Sequence, residues 1–429
     1  MNHPGCPNRE AIQSAQLSQL RRLIDACLSG NPFYAERIKK AGLDANLKTL
    51  EEFTARMGFT TKEQLVQDQA DHPPYGTNLT FPLKDYTRFS QTSATTGNPL
   101  RWLDTTKSWN GMINGWKQVL KVSGVKKADR ILFPFSFGPF IGFWLAFEAA
   151  AQMECLCIPG GGLSSLARLR VIVDNKINVL CCTPTYAIRL AQAAEEEKID
   201  LNQTSVKILI VAGEPGGSIP ATRSRIESLW PGARVMDHHG MTEVGPVSYQ
   251  CPHRRRVLHV IESDFLTEVL DPQTQKPIQP GEKGELVLTT LGRTASPVLR
   301  YRTGDIVRLA NAVPCECGRY DMALEGGILA RTDDMIVVRG VNLYPAAIED
   351  VVRSIDAVAE YRVEIQTARS MTELNIKIEP AGDLPNGHKL TEQLQAKLKS
   401  AFALRIPVTL VPAGTLPRFE MKAKRWIRL

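Results

Sequence analysis

Ten residues, Ser90-Gln-Thr-Ser-Ala-Thr-Thr-Gly-Asn-Pro99, hold five hydroxyl side chains and follow a strand-like segment directly. Backbone N–H groups and hydroxyls in such a run can wrap around phosphate oxygens. The run is not the G-x-x-x-x-G-K-[ST] loop, since neither that spacing nor its lysine is present. Read alone, it is equally a polar surface loop. Further segments would complete a phosphate site. His239-Gly-Met-Thr-Glu243 sets a hydroxyl beside a carboxylate after a strand-like stretch, so Thr242 suits a phosphate and Glu243 a Mg²⁺ ion. Tyr301-Arg-Thr-Gly-Asp305 puts a carboxylate just after a tight turn, suited to gripping a ribose diol. Residues 331–345 form a charged segment at a change of pattern, and a lysine cluster lies in 416–425.

A second constellation has metal-ligand chemistry. Cys251 stands eight residues before His259, and Cys315-Glu-Cys317 follows. Three thiols and an imidazole match the ligand types and number of a tetrahedral structural Zn²⁺ site, with His253 as the alternative to His259. The spacing is not that of a classical finger; the competing account is two unrelated loops with free thiols. Cys155, Cys157, Cys181 and Cys182 lie in apolar runs and read as inert core.

The elements that must position these residues alternate. Residues 10–60 read as helices, broken at Asn31-Pro32. Between about 85 and 300, short β-branched runs (130–133, 179–182, 207–212, 234–237) alternate with helical patterns (164–175, 184–197, 220–230). That alternation argues for parallel sheets flanked by helices, an α/β class. Residues 267–270 and 284–290 are strand-like, separated by turn-rich sequence. After Gly326-Gly327 a small α+β pattern begins: strand 335–339, helix 344–355, strands 361–367 and 374–378, helix 390–402, strand 408–411. The boundary is expected near Thr332. This gives a large N-terminal domain, 1–331, with the metal-binding insertion at about 251–317, and a small C-terminal domain, 332–429.

In this order the motifs resemble the adenylate-forming superfamily, most closely its phenylacetate-CoA ligase branch, over nearly the whole chain. Asn31-Pro-Phe-Tyr34, Ala41-Gly42 and Phe59-Thr-Thr-Lys62 are similar to that branch's N-terminal signature, and Gly213-Glu-Pro215 to its adenine-contacting turn. The resemblance implies that Thr92, Ser93, Thr95, Thr96 and Gly97 cradle the triphosphate of ATP. It implies Gly213, Glu214 and Pro215 at the adenine, Thr242 at the α-phosphate, Glu243 on Mg²⁺, Asp305 on the ribose and Arg331 on the nucleotide. Asp333 would be the hinge of a mobile small domain, and Lys422, with Lys424 as the alternative, the catalytic lysine. The implied reaction is activation of a carboxylic acid to an acyl-adenylate, then transfer to CoA. Some members of the branch carry a metal-binding insertion, which supports Zn²⁺ here. Three positions depart from the pattern: Ala94 for a loop glycine, His239 for the usual adenine-stacking Tyr, and Ala330 for the glycine before Arg331.

The acid is less specified. Phe135, Phe137, Phe140, Phe143 and Trp144 cluster in one segment, either as core or as the wall of an apolar pocket for an aryl or arylacetic acid. Ala212 and His238 complete the candidate pocket, with His238 as its polar contact. Two rival readings stand beside the acyl-CoA ligase. One is an adenylating enzyme with another acceptor (an amine, a carrier-protein thiol or a cofactor). The other is a non-catalytic nucleotide-binding descendant.

Composition bounds the rest. A net charge of +7, with Lys and Arg scattered, suits anionic small molecules and lacks the basic stripe of a nucleic-acid binder. Residues 133–162, the longest apolar region, are interrupted by prolines, glycines and glutamates, which argues against a membrane span. Nine cysteines, an odd number with no secretory signal ahead of them, point to a reducing cytoplasm. A homodimer is expected from the resemblance alone.

Overall fold

The computed structural model describes residues 7–92, 99–139, 141–142, 144–311, 314–339, 341–368, 371–382, 387–420 and 422–429. The chain forms two compact units: Met1–Gly161 with Asp237–Gly327, and Gly162–Met236 with Ile328–Leu429.

The first unit opens with four helices, Arg9–Gly30, Pro32–Lys40, Leu50–Arg56 and Lys62–Asp71. Asn31 accounts for the first break. Its side-chain oxygen accepts the Tyr34 N–H at 3.1 Å, capping the second helix, where Pro32 takes a position that needs no N–H donor. Thr61 and Gln64 form a capping box on the fourth helix. The first three helices close a core over Leu266, Leu291 and Leu299. The Tyr34 hydroxyl lies 3.0 Å from Thr60 Oγ1 and accepts the Leu299 N–H at 3.1 Å. The N-terminal motifs therefore buttress the chain just before the Asp305 strand.

Strands Tyr86–Gln91 and Arg101–Thr105 pair antiparallel and frame the hydroxyl run. Strands Arg130–Phe133 and Leu156–Pro159 pair parallel, with helix Trp144–Gln152 between them in sequence. Beyond residue 240 the character changes to an antiparallel six-stranded sheet. Its order is Ser248–Gln250, Val257–Val260, Ala323–Arg331, Tyr301–Leu309, Lys283–Thr290, Phe265–Leu270. Only two of these six strands are expected from sequence, because the others are short or carry charged and glycine residues.

In the second unit, strands Val179–Cys182 and Ile208–Val211 pair parallel, joined by helix Pro184–Glu196. Thr183 caps that helix, with Pro184 in its first turn. Helix Pro220–Leu229 has no cap from its own Ile219; instead Asp350 accepts the Ala221 N–H at 3.0 Å. The C-terminal segment builds a four-stranded sheet, ordered Val408–Leu410, Met371–Pro380, Val358–Ala368, Trp426–Arg428. Helices Pro345–Arg353 and Gly387–Phe402 contribute Ile348, Val352, Leu390, Leu394 and Leu398 to its core. The last strand is a correction to the sequence reading, in which the chain simply ends in a basic cluster. Arg425 is a core residue, bound to Glu360 through Nε–Oε1 at 2.7 Å and Nη2–Oε2 at 3.2 Å. Burial works against the charged form of Glu360, but Arg353 and Arg425 beside it hold its carboxyl below the usual range.

Candidate functional site

In the first unit the His239–Glu243 motif is a minimal hairpin. Gly240 pairs with Pro246 and Met241 with Gly245, which leaves Thr242 and Glu243 at its tip. A Cβ on Gly240 would meet the Gly245 carbonyl oxygen at 2.8 Å, so only glycine lets the two strands close. The tip is held from behind. Arg293 Nη1 donates to the Thr242 carbonyl at 2.7 Å, while Nε and Nη2 grip Asp104 at 2.8 and 2.6 Å. Both partners of that ion pair are 1% exposed. Sequence reasoning misses this pair, since nothing local links positions 189 residues apart. Glu243 is buried and Thr242 half-buried.

His239 points its Nε2 to 3.0 Å from Asp305 Oδ2. The two residues assigned separately to adenine and ribose therefore meet. Asp305 lies inside the strand Tyr301–Leu309 rather than after a turn; Gly304, at φ +77°, and a register shift opposite it bend the strand there. His238 is buried against the Trp116 ring, centroids 4.2 Å apart, with Nδ1 2.6 Å from the Ser248 carbonyl. Burial pushes its pKa down to about 3, so the ring is neutral and donates from Nδ1 to that carbonyl. Thr92 closes the base of the hydroxyl run: its N–H donates to Leu100 at 2.9 Å and its Oγ1 accepts the Leu100 N–H at 3.0 Å. Ser93, Thr95, Thr96 and Gly97 of that loop, and Phe140 of the candidate pocket, lie outside the described residues. Trp144 donates Nε1 to the Gly138 carbonyl at 3.1 Å and packs edge-on to Phe137 at 4.6 Å.

In the second unit Ala212 is buried at the end of strand Ile208–Val211, and Gly213 follows at φ +95°. Lys422 runs past this turn, its Cε 3.6 Å from where a Gly213 Cβ would stand. Glu214 accepts the Ala423 N–H at 2.8 Å. Pro215 is exposed. Arg331 and Asp333, assigned to nucleotide and hinge, form a two-point ion pair at 2.9 and 3.1 Å.

The cysteine and histidine positions converge. One ligand atom each from Cys251, His259, Cys315 and Cys317 lies within 4.8 Å of the others, and all four residues are buried. Cys251 Sγ is 3.8 Å from Cys315 Sγ, and Cys317 Sγ is 3.3 Å from His259 Nε2. A tetrahedral Zn²⁺ with bonds of about 2.3 Å to sulfur and about 2.0 Å to nitrogen sets those separations at roughly 3.8 and 3.5 Å. The donor set fits the ion. His259 Nδ1 lies 3.3 Å from the Asp321 carbonyl, which fixes the tautomer that leaves Nε2 as the ligand atom. Burial pushes the Cys317 thiol up to about 12 and His259 down to about 4. His253 is exposed and outside the cluster.

Comparisons with known proteins identify the family and the fold. Residues 48–293 match the AMP-binding enzyme family, and residues 340–428 match the AMP-binding enzyme C-terminal domain. A phenylacetate-coenzyme A ligase of Thermus thermophilus is 30% identical over 433 residues, covering 96% of this chain and 95% of that protein. The phenylacetate-coenzyme A ligase of Pseudomonas putida is 28% identical over 422 residues, covering 96% and 93%. Among solved structures, 2-hydroxyisobutyryl-CoA ligase in its postadenylation state with R3-HIB-AMP superposes with a TM-score of 0.92 at 28% identity. That match covers 98% of this chain and 90% of the other. The chain belongs to the AMP-binding enzyme family, as an AMP-forming acyl-CoA ligase of the phenylacetate-CoA ligase-like branch.

Proposed function

We propose that the chain activates an aryl or arylacetic acid. The carboxylate attacks the α-phosphorus of ATP, pyrophosphate leaves, and the acyl-adenylate passes its acyl group to the CoA thiol with release of AMP. The observation that carries this reading is the passage of Lys422 beside the Gly213-Glu214 turn. From there its ammonium would bridge the carboxylate and the α-phosphate and offset charge as it gathers. Thr242 would contact the α-phosphate, and Thr92, Ser93, Thr95, Thr96 and Gly97 would cradle the triphosphate. The backbone of the Gly213-Glu214-Pro215 turn would border adenine, the Glu214 carboxylate being taken up by Thr185 and Ala423. Asp305 with His239 would take the nucleoside, and Arg331 would add a contact to the nucleotide. Mg²⁺ on the buried Glu243 would neutralise phosphate charge, one protein carboxylate being a common share for that ion. Residues 332–429 would then turn about Asp333 and withdraw Lys422, opening a path for the thiol.

Zn²⁺ held by Cys251, His259, Cys315 and Cys317 would be structural, since four protein ligands leave no open position for chemistry. No disulfide joins the eight described cysteines, which suits a reducing cytoplasm. Among the described residues no helix is long and apolar enough to cross a membrane.

One observation favours a second reading of the acid. The neutral His238 packs on Trp116 with Nδ1 on the Ser248 carbonyl, which leaves Nε2 as a polar acceptor that suits a small hydroxy acid. ATP–pyrophosphate exchange with phenylacetate, benzoate, 2-hydroxyisobutyrate and acetate decides between them, with Lys422→Ala run in parallel. The expected result is exchange with the aromatic acids, lost in the variant. Exchange with 2-hydroxyisobutyrate alone selects the second reading. A protein that binds ATP yet exchanges with none of the four sinks both.

A further inference from the structure

We propose that Glu214 is a positioning residue for Lys422, holding the lysine's segment by its backbone. The inference rests on the reading of Lys422 as the lysine of the adenylation step. Glu214 stands on the turn after strand Ile208–Val211, and its two carboxylate oxygens serve two different segments. Oε1 accepts the Thr185 N–H at 2.9 Å, in the first turn of helix Pro184–Glu196. Oε2 accepts the Ala423 N–H at 2.8 Å, on the residue next to Lys422. A carboxylate is stabilised at a helix N-terminus, where N–H groups lack partners within the helix. One anionic side chain thus ties the chain beside the lysine to a fixed helix end.

Other contacts hold the same segment further away. Arg168 Nη1 and Ser165 Oγ each reach Glu420 at 3.4 Å. Arg425 Nη1 donates to Thr185 Oγ1 at 3.3 Å. Of these contacts, the bond from Glu214 alone falls on a neighbour of Lys422. It matters because Lys422 is exposed and carries a long flexible stem. Anchoring the backbone at its base removes freedom that the ammonium would otherwise lose on reaching its working position. Hydrogen bonds to a charged acceptor are the stronger class, so the tether has the strength for this task. Glutamine keeps the length of the side chain but has one acceptor oxygen, enough for Thr185 or Ala423 and not for both.

The test measures phenylacetate-dependent ATP–pyrophosphate exchange in Glu214→Ala, Glu214→Gln, Lys422→Ala and the Glu214→Ala/Lys422→Ala double variant. Thioester formation from supplied phenylacetyl-adenylate and CoA is measured beside it. Glu214→Ala is expected to lower the exchange kcat by about 10- to 100-fold, the range for losing a hydrogen bond to a charged group. KM for ATP should stay within about 2-fold, Glu214→Gln should fall between Ala and wild type, and thioester formation should fall far less than exchange. Because the residue acts through Lys422, the double variant should be no slower than Lys422→Ala. A raised KM for ATP with kcat intact would overturn the proposal by placing the Glu214 carboxylate, and not only its backbone, on the nucleotide. Equal loss in both half-reactions, or a double variant slower by the product of the two single effects, would overturn it as well. The underlying reading fails separately, through Lys422→Ala exchanging at the wild-type rate. A full-rate Glu214→Ala beside an inactive Lys422→Ala would end the positioning role alone.

Discussion

The Cys/His cluster and the Lys422 segment solve opposite problems. At the cluster, Cys251, His259, Cys315 and Cys317 are 1%, 0%, 4% and 5% exposed, and their ligand atoms already sit near tetrahedral spacing. At the other site Lys422 is exposed, and the Arg331–Asp333 pair is 36% and 63% exposed on its two sides. The cluster's donors are assembled by the fold itself and buried together. At the Lys422 segment the side chain stays open, and the fold anchors the backbone beside it, through Glu214 on the Ala423 N–H. Stability should concentrate in the first region and catalytic loss without unfolding in the second.

The largest expected effect comes from breaking the cluster. Cys317→Ala should abolish stoichiometric zinc by elemental analysis and lower the thermal midpoint by many degrees, because metal binding energy is folding energy. A zinc-free protein with an unchanged midpoint would remove the contrast. Lys422→Ala should do the reverse, with exchange down by about 10²- to 10³-fold and a midpoint within about 1 °C of wild type. Equal damage to both quantities would mean that the lysine is a structural residue.

Arg293→Met sharpens the comparison by joining the two effects. It leaves Asp104 buried without its partner, at a cost of about 3–5 kcal/mol, and releases the carbonyl of Thr242. A drop of several degrees in midpoint together with slower exchange is expected. Loss of stability with exchange intact would show that the hairpin tip holds itself. The smallest effect concerns pH. His238 is held near pKa 3 in the folded chain against about 6.5 unfolded, so the unfolded state binds more protons between those values. Its contribution is complete above about pH 6.5 and is lost as pH falls, amounting to about 1–2 kcal/mol by pH 5. Thermal midpoints of His238→Gln should therefore depend less on pH between 5 and 7 than those of wild type; parallel curves would contradict the assignment.

Local pattern and local chemistry made much of the architecture legible. Over 164–237 the expected strands and helices fall within a residue or two of the observed elements, because each is a short apolar strand or a helix with its own cap or proline start. Helix Trp144–Gln152 and strand Leu156–Pro159, by contrast, read only as part of an interrupted apolar run. Asn31-Pro32 signals a helix break that the structure keeps for the same reason, a capping side chain followed by a residue with no N–H. The antiparallel sheet after 240 was mostly hidden. Its strand Ala323–Arg331 has no regular alternation of burial, Tyr301–Leu309 alternates buried with half-buried positions, and both carry glycines and charges, so sequence pattern alone does not mark them. The final strand, Trp426–Arg428, was hidden by the basic residues before it, one of which is buried by an ion pair invisible in the local sequence.

The sequence by itself determined which residue types were available and in what order: the hydroxyl run, the Thr-Glu pair, the carboxylate at 305, the thiols and imidazole, and the terminal lysines. Those are properties of side chains and of short-range propensity, which do not depend on what lies across the fold. The tertiary structure decided the partnerships. It chose His259 over His253 at the cluster, brought His239 onto Asp305, set Asp104 under Arg293, and gave the two oxygens of Glu214 to Thr185 and Ala423. Each joins residues far apart in the chain. Such contacts depend on how packed elements bring distant positions together, and no local window of sequence carries that information.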